Sequence, residues 1–201
     1  MRATMELNID ISEFENAAIR LGAFTDQVPF ALSRALNDAA FSAREKLTTD
    51  TWPNNIVQRD RKFLTAALRL ELSNKTNLTV SYYDVLHRGQ LNRHADGGTK
   101  RPKSGHIAVP IDPIIKRGAS GVKGRYKPSA LTRSYRIGDK IFQRVGKGKN
   151  SRSRLMYVLK SSAQIKKAVP FREDFAETVL RVTRERFPVR LAEAMKTRRP
   201  R

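Results

Sequence analysis

Three histidines, His87, His94 and His106, are the first candidates for acid–base or metal chemistry. His87 and His94 are seven apart, a spacing that would place both on one helical face. Asp96 and Asp112 are the only acids near them in sequence. Zinc takes three or four ligands, and no compact set is present. A histidine-based nuclease would also need a partner base or metal-binding carboxylates. The three are therefore read as polar loop histidines. The chain has no cysteine, which excludes a disulfide framework, a cysteine-ligated zinc site and a thiol nucleophile. Ser104, Ser120, Ser129, Ser151 and Ser153 fall in expected loops, and none sits in a strand–turn–helix nucleophile elbow. Gly146-Lys147-Gly148-Lys149 has the residue types of a phosphate-cradling loop. It lacks the eight-residue spacing and the following Ser or Thr, so it reads as a basic turn. Trp52, at the end of an apolar stripe, reads as core. The expectation is a protein that is not an enzyme, with no cofactor and no metal.

What rises above this background is charge. The chain has 201 residues, with 40 Lys and Arg against 19 Asp and Glu, a net charge of +21. A free small domain usually carries a charge of magnitude about 2–8, so an anionic partner is expected. The excess is local. Residues 1–85 carry a net −1, residues 86–167 a net +18 and residues 168–201 a net +4. The basic middle is rich in turn formers, and its candidate binding cations are Lys100, Arg101, Lys103, Lys116, Arg117, Lys123, Arg125, Lys127, Lys147, Lys149 and Arg152. Tyr82, Tyr83, Tyr126, Tyr135, Phe142 and Tyr157 are interspersed with this region, and aromatic rings beside cations can stack nucleic-acid bases. No helix carries the excess and no sequence-reading motif is present, so any nucleic-acid contact is expected to be with phosphates.

The elements that must position these residues follow from periodicity. Met5, Leu7 and Ile9 alternate with polar residues and predict a short strand over 3–9. Asp10 or Ser12 then caps a short helix bearing Phe14, Ala17, Ala18 and Leu21, ended by Gly22. Val28, Leu32, Ala35, Leu36, Ala39, Ala43 and Leu47 form one helical stripe, capped by Thr25 or Asp26, with Pro29 in the first turn. Thr48, Thr49, Thr51, Trp52 and Pro53 are expected to end it. Strands are predicted over 64–72 and 78–86, joined by a polar turn at 73–77, and later over 106–111, 140–145 and 154–159. Segments 87–105 and 112–139 read as long loops. The last helix starts at Phe171 with the stripe Phe171, Phe175, Val179, Val182, Leu191, Ala192 and Met195, and Pro188 is expected to kink or break it.

Together these predict one α+β domain over 1–201, made of an N-terminal strand, helices and hairpin (1–85), a basic loop-and-strand region (86–167) and a C-terminal helix and tail (168–201). Its mostly antiparallel sheet of about four to five strands would carry the N-terminal and C-terminal helices on one face. No apolar run reaches the roughly 18 residues of a spanning helix. The N-terminus lacks the apolar stretch of a signal peptide, so synthesis in a reducing cytoplasm and no membrane partner are expected.

Two blocks carry a resemblance. Val28-Pro29-Phe30-Ala31-Leu32-Ser33-Arg34-Ala35-Leu36-Asn37 is one. Ala168-Val169-Pro170-Phe171, with Arg181-Val182-Thr183-Arg184-Glu185-Arg186-Phe187-Pro188 and Leu191-Ala192-Glu193-Ala194-Met195, is the other. They resemble the corresponding parts of the phage minor tail protein Z family. The resemblance implies a structural virion protein acting in tail completion at the head-proximal end of a long tail. It also implies a homo-oligomeric ring, a hexamer by analogy with related connector proteins. Its neighbours would be other tail and neck proteins such as the tail terminator and tail tube, with phage DNA in the channel, and it would be made in the host bacterial cytoplasm. It transfers no catalytic residue. The alternatives read from the residues alone are a stand-alone, sequence-nonspecific nucleic-acid-binding protein and a basic nuclease or toxin.

Overall fold

The computed structural model describes residues 4–8, 11–21, 27–86, 91–103, 105–118 and 121–197. In chain order the elements are β1 (Thr4–Asn8), α1 (Ser12–Arg20), α2 (Val28–Lys46), α3 (Trp52–Asn55), α4 (Phe63–Ala67), β2 (Leu68–Glu71), β3 (Thr79–Asp84) and α5 (Leu91–Asp96). There follow β4 (Gly98–Lys100), β5 (Ile107–Pro110), β6 (Arg117–Gly118), β7 (Gly121–Val122), β8 (Ser134–Ile137), β9 (Lys140–Val145), β10 (Arg152–Lys160), β11 (Ala163–Ile165) and α6 (Phe171–Lys196). The expected α+β class is observed. Its strands are all antiparallel but are distributed among sheets of two to four strands instead of one.

The chain divides into two compact units, one of residues 1–57, 62–95 and 167–201, the other of residues 58–61 and 96–166. The second nearly coincides with the basic middle of the sequence.

Alanine sets the packing of the first unit. Ala31, Ala35, Ala39, Ala40 and Ala43 are all fully buried along α2, and such small side chains let a second helix come close. That helix is α6, which buries Phe171, Phe175, Val179, Val182, Phe187, Leu191 and Ala194. Phe187 and Ala194, and not Ala192, continue the stripe, because the exact helical repeat of 3.6 carries Ala192 onto the exposed side. Rings join the elements. Phe14 of α1 meets Phe187 edge-on at 5.1 Å, Trp52 stacks on Phe171 at 5.6 Å, and Tyr82 of β3 meets Phe175 edge-on at 4.9 Å. The sheet order is β1-β3-β2. The β2–β3 turn is held at Asn74 and Asn77, which exchange backbone hydrogen bonds of 2.9 and 3.1 Å. Ser73 binds this hairpin to α2: its N–H donates to Asn37 Oδ1 at 2.8 Å and its hydroxyl to the Ser33 carbonyl at 2.9 Å.

Several expected boundaries are corrected. The cluster at 48–53 does not end the helix. The chain passes from α2 through a π-turn at Leu47–Thr51 into α3. The hydroxyls of Thr48 and Thr49 donate back to the Glu45 carbonyl at 3.0 and 2.9 Å. A wider turn with side-chain donors accommodates residues that disfavour a regular α-helix. Residues 64–67 are helical in α4, so the first hairpin strand is shorter than expected. Ser12 is the first residue of α1 and Ile11 holds the cap position, without a side-chain cap bond. Asp10, Gly22, Thr25 and Asp26 lie outside the described residues. Pro188 does not break α6, which runs through it. Pro188 and Arg184 are both exposed, so the carbonyl that loses its intrahelical donor lies on the side of the helix that water can reach.

The second unit is built on a sheet of order β5-β10-β9-β8. Its core is small: Ile115, Leu131, Met156 and Tyr157, with Ala108, Val122, Tyr126 and Ile141 packed against it. Segment 112–139, expected as a loop, folds over the sheet. It contains β6, β7, two 3-10 turns at Gly124–Tyr126 and Pro128–Ala130, and β8. Segment 87–105 likewise holds α5 and β4.

Candidate polyanion-binding surface

All eleven candidate cations lie in the second unit. That unit holds 20 basic and 4 acidic side chains, a net +16, whereas the first holds 20 and 15. Several acids of the first unit pair with its own arginines and lysines. Arg190 makes a forked pair with Asp38 at 2.7 and 2.9 Å and reaches Glu193 at 2.8 Å. Arg184 makes a second fork with Glu13 at 2.9 and 3.0 Å. These carboxylates hold the Arg190 and Arg184 guanidiniums firmly charged, above the ordinary arginine range. In the second unit Asp112 pairs with Arg154 at 3.2 Å. Among the described residues, none of the eleven candidate cations pairs with a carboxylate.

The fold sorts the eleven into three groups. Lys100 ends β4, where it is half-buried opposite Ala163, and Arg101 and Lys103 follow it, exposed. Lys147 and Lys149 stand exposed on the β9–β10 connection, and Arg152, also exposed, opens β10. That connection needs its glycine: Gly146 has φ +89°, and a Cβ there would sit 2.5 Å from the Asn150 carbonyl oxygen. The Gly-Lys stretch is thus a hairpin turn, as the spacing predicts.

The third group is a site with shape. Lys116, Arg117, Lys123 and Lys127 border an open groove of about 510 Å³, together with Val122 and the glycines Gly118, Gly121 and Gly124. Gly121, at φ +86°, allows the tight β6–β7 hairpin. The groove is moored to the sheet by Tyr157 of β10, whose buried hydroxyl donates to the Tyr126 carbonyl at 2.5 Å. Burial pushes the Tyr157 phenol up, and the Arg117 charge partly offsets this. Arg125 belongs to the same stretch but lies over the Tyr126 ring, 4.8 Å from its centroid. Sequence reasoning named these cations but missed their gathering. Ile115, Val122, Tyr126 and Leu131, which pin the segment down, do so from turns and a two-residue strand, elements too short for a periodic pattern to reveal.

His94 is on α5, not in a loop. Its ring meets the edge of Trp52 at 5.6 Å, and its carbonyl accepts the N–H groups of Ala168 and Val169 at 2.9 and 3.1 Å. His106 is exposed and His87 lies outside the described residues. No cluster of three or more metal-ligating side chains occurs among the described residues. No helix among them is long and apolar enough to cross a membrane. Trp52 is buried, as expected.

Burial lowers the His94 pKa below its ordinary 6.5. The unfolded chain therefore takes up a proton before the folded one. The stability tied to neutral His94 is complete above about pH 6.5 and is lost as pH falls through that value towards the folded pKa. Thermal unfolding from about pH 7.5 to 5.5 should show a falling Tm for the wild type and a smaller fall for His94→Gln. Equal slopes for both proteins would contradict this. Glu173 and Glu193, held low by Lys167 and Arg190, act in a separate window, below the ordinary 4.5 of a glutamate.

No protein family, no curated protein and no solved structure was found to match the chain.

Proposed function

We propose that the chain is a structural subunit of a long-tailed bacteriophage. It acts in tail completion at the head-proximal end, as a ring of copies, a hexamer by analogy with related connectors, beside the tail terminator and tail tube. The basic unit meets a polyanion there, DNA in the channel or an acidic neighbour. The observation that carries the polyanion contact is the second unit's 20 cations against 4 carboxylates, with none of the candidate cations paired to a carboxylate among the described residues. Six copies side by side would multiply that field, so a ring needs counter-charge. The placement in a tail rests on the sequence resemblance. Its support in the fold is that the two blocks carrying it form one helix pair, α2 with α6. Copy-to-copy contact has apolar surface available in the same unit, where Phe41 is 53 % exposed and Val189 51 %.

A stand-alone nucleic-acid binder shares the charge argument, so the test is assembly. Tails built without this chain should fail to yield infectious particles, and adding the purified protein should restore them. Full infectivity without the chain, or no restoration by it, would contradict the proposal.

A further inference from the structure

We infer that the groove bordered by Lys116, Arg117, Lys123 and Lys127 takes the sugar–phosphate backbone of duplex DNA. This deepens the polyanion reading of the basic unit and rests on it, but it is independent of the placement in a tail. Three features select the ligand. The groove presents four cations with no carboxylate partner among the described residues, and Asp112, close to them in sequence, is paired with Arg154. Phosphodiesters supply regularly spaced charges to satisfy such a set.

Next, the lining argues against an acidic protein. Three of the four cations are lysines, which are depleted in the cores of protein interfaces, and among the described lining residues Val122 is the one apolar side chain. A lysine ammonium acts as a hydrated point charge suited to phosphate contact without base reading.

Finally, no aromatic residue is among the described residues that line the groove. Proteins that hold single strands offer aromatic faces to bases. Here the Tyr126 ring has Arg125 lying over it and Tyr157 is buried in the core. Gly118 and Gly124 instead leave the wall without side chains, and no atom lies within 4 Å of where a Cβ would stand. A wide, regular backbone can approach such a wall.

The test is fluorescence anisotropy of the full chain with three probes: a random-sequence duplex, a single strand of the same length, and polyglutamate of matched charge. A variant with Lys116, Arg117, Lys123 and Lys127 all changed to Gln is compared with one in which Lys140, Arg144, Lys160 and Lys166 are changed to Gln. All eight residues lie in the second unit and both variants lose the same charge. The duplex should bind most tightly. The groove variant should flatten the slope of log K against log salt by about 3–4, since each phosphate contact contributes about 0.9, and the comparison variant by less than about 1. Matching melting curves establish that both variants fold. Equal slopes for the two variants, or polyglutamate or single strand binding as tightly as duplex, would overturn the groove assignment and leave the polyanion reading standing. No binding to any probe at low salt would overturn both.

Discussion

The affinity of the chain for random-sequence duplex DNA is expected to fall by about 10³-fold or more as salt rises from about 50 to 200 mM. The magnitude follows from counterion release. Six or more phosphate contacts produce a loss of that order, and the second unit displays eleven candidate cations with no carboxylate partner among the described residues. Four of them share one groove, and the other groups stand on β4 and its following turn and on the β9–β10 connection and the start of β10. Such charges act through solvent, where the Debye length is about 8 Å at physiological salt, so their contribution is strongly screened. An apolar contact would respond little to the same change. Titrations at four salt concentrations read the slope directly. A change of less than about tenfold over that range would contradict a phosphate-dominated surface.

Truncating Phe175 to alanine is expected to cost about 3–5 kcal/mol of stability. The side chain is completely buried on α6, against the edge of Tyr82 and within the core formed with the alanine face of α2. An alanine there leaves a hole that rigid helices cannot close, and the lost transfer energy and the cavity add. Val189→Ala on the exposed side of the same helix should stay within about 0.5 kcal/mol. Urea unfolding of the two variants separates them. A loss below about 1 kcal/mol for Phe175→Ala would contradict the packing of α6 described above.

The elements that were legible in the sequence are those whose apolar residues repeat. The stripe Val28 to Leu47 forms α2, with Pro29 in its first turn, and Leu68 and Leu70 pair across the hairpin with Asp84 and Tyr82. The strands over 140–145 and 152–160 and the start of α6 at Phe171 also follow their patterns. Breakers proved less decisive. Pro53 is expected to end its helix and Pro188 to kink or break its own, yet one follows a π-turn and the other sits on an exposed helix face, where the carbonyl left without its donor is open to water. Nothing in the local pattern announces the division of the strands among separate sheets. That division depends on tertiary pairing, such as β4 with β11 from 60 residues away, which no periodicity encodes.

For the candidate surface, charge was legible and shape was not. Counting along the chain isolates the cations, since composition needs no fold. Their division into three groups depends on Gly121 pairing with Gly118, on Ile115 and Leu131 joining the core of the second unit, and on Tyr157 binding the Tyr126 carbonyl. The role of Tyr157 has no sequence signal, because a tyrosine in a strand reads the same whether its hydroxyl meets solvent or a turn. The pairing of Asp112 with Arg154 is likewise visible only in three dimensions.

The central claim is that this is a virion subunit whose basic unit faces a polyanion inside the assembled particle. Imaging intact tailed-phage particles at a resolution that traces this chain tests it most directly. The expected result is a ring of copies at the head-proximal end of the tail, with Lys116, Arg117, Lys123 and Lys127 of each copy turned to the DNA channel. Particles that lack the chain, or that carry it with these four side chains in open solvent away from DNA and from any acidic neighbour, would contradict the account.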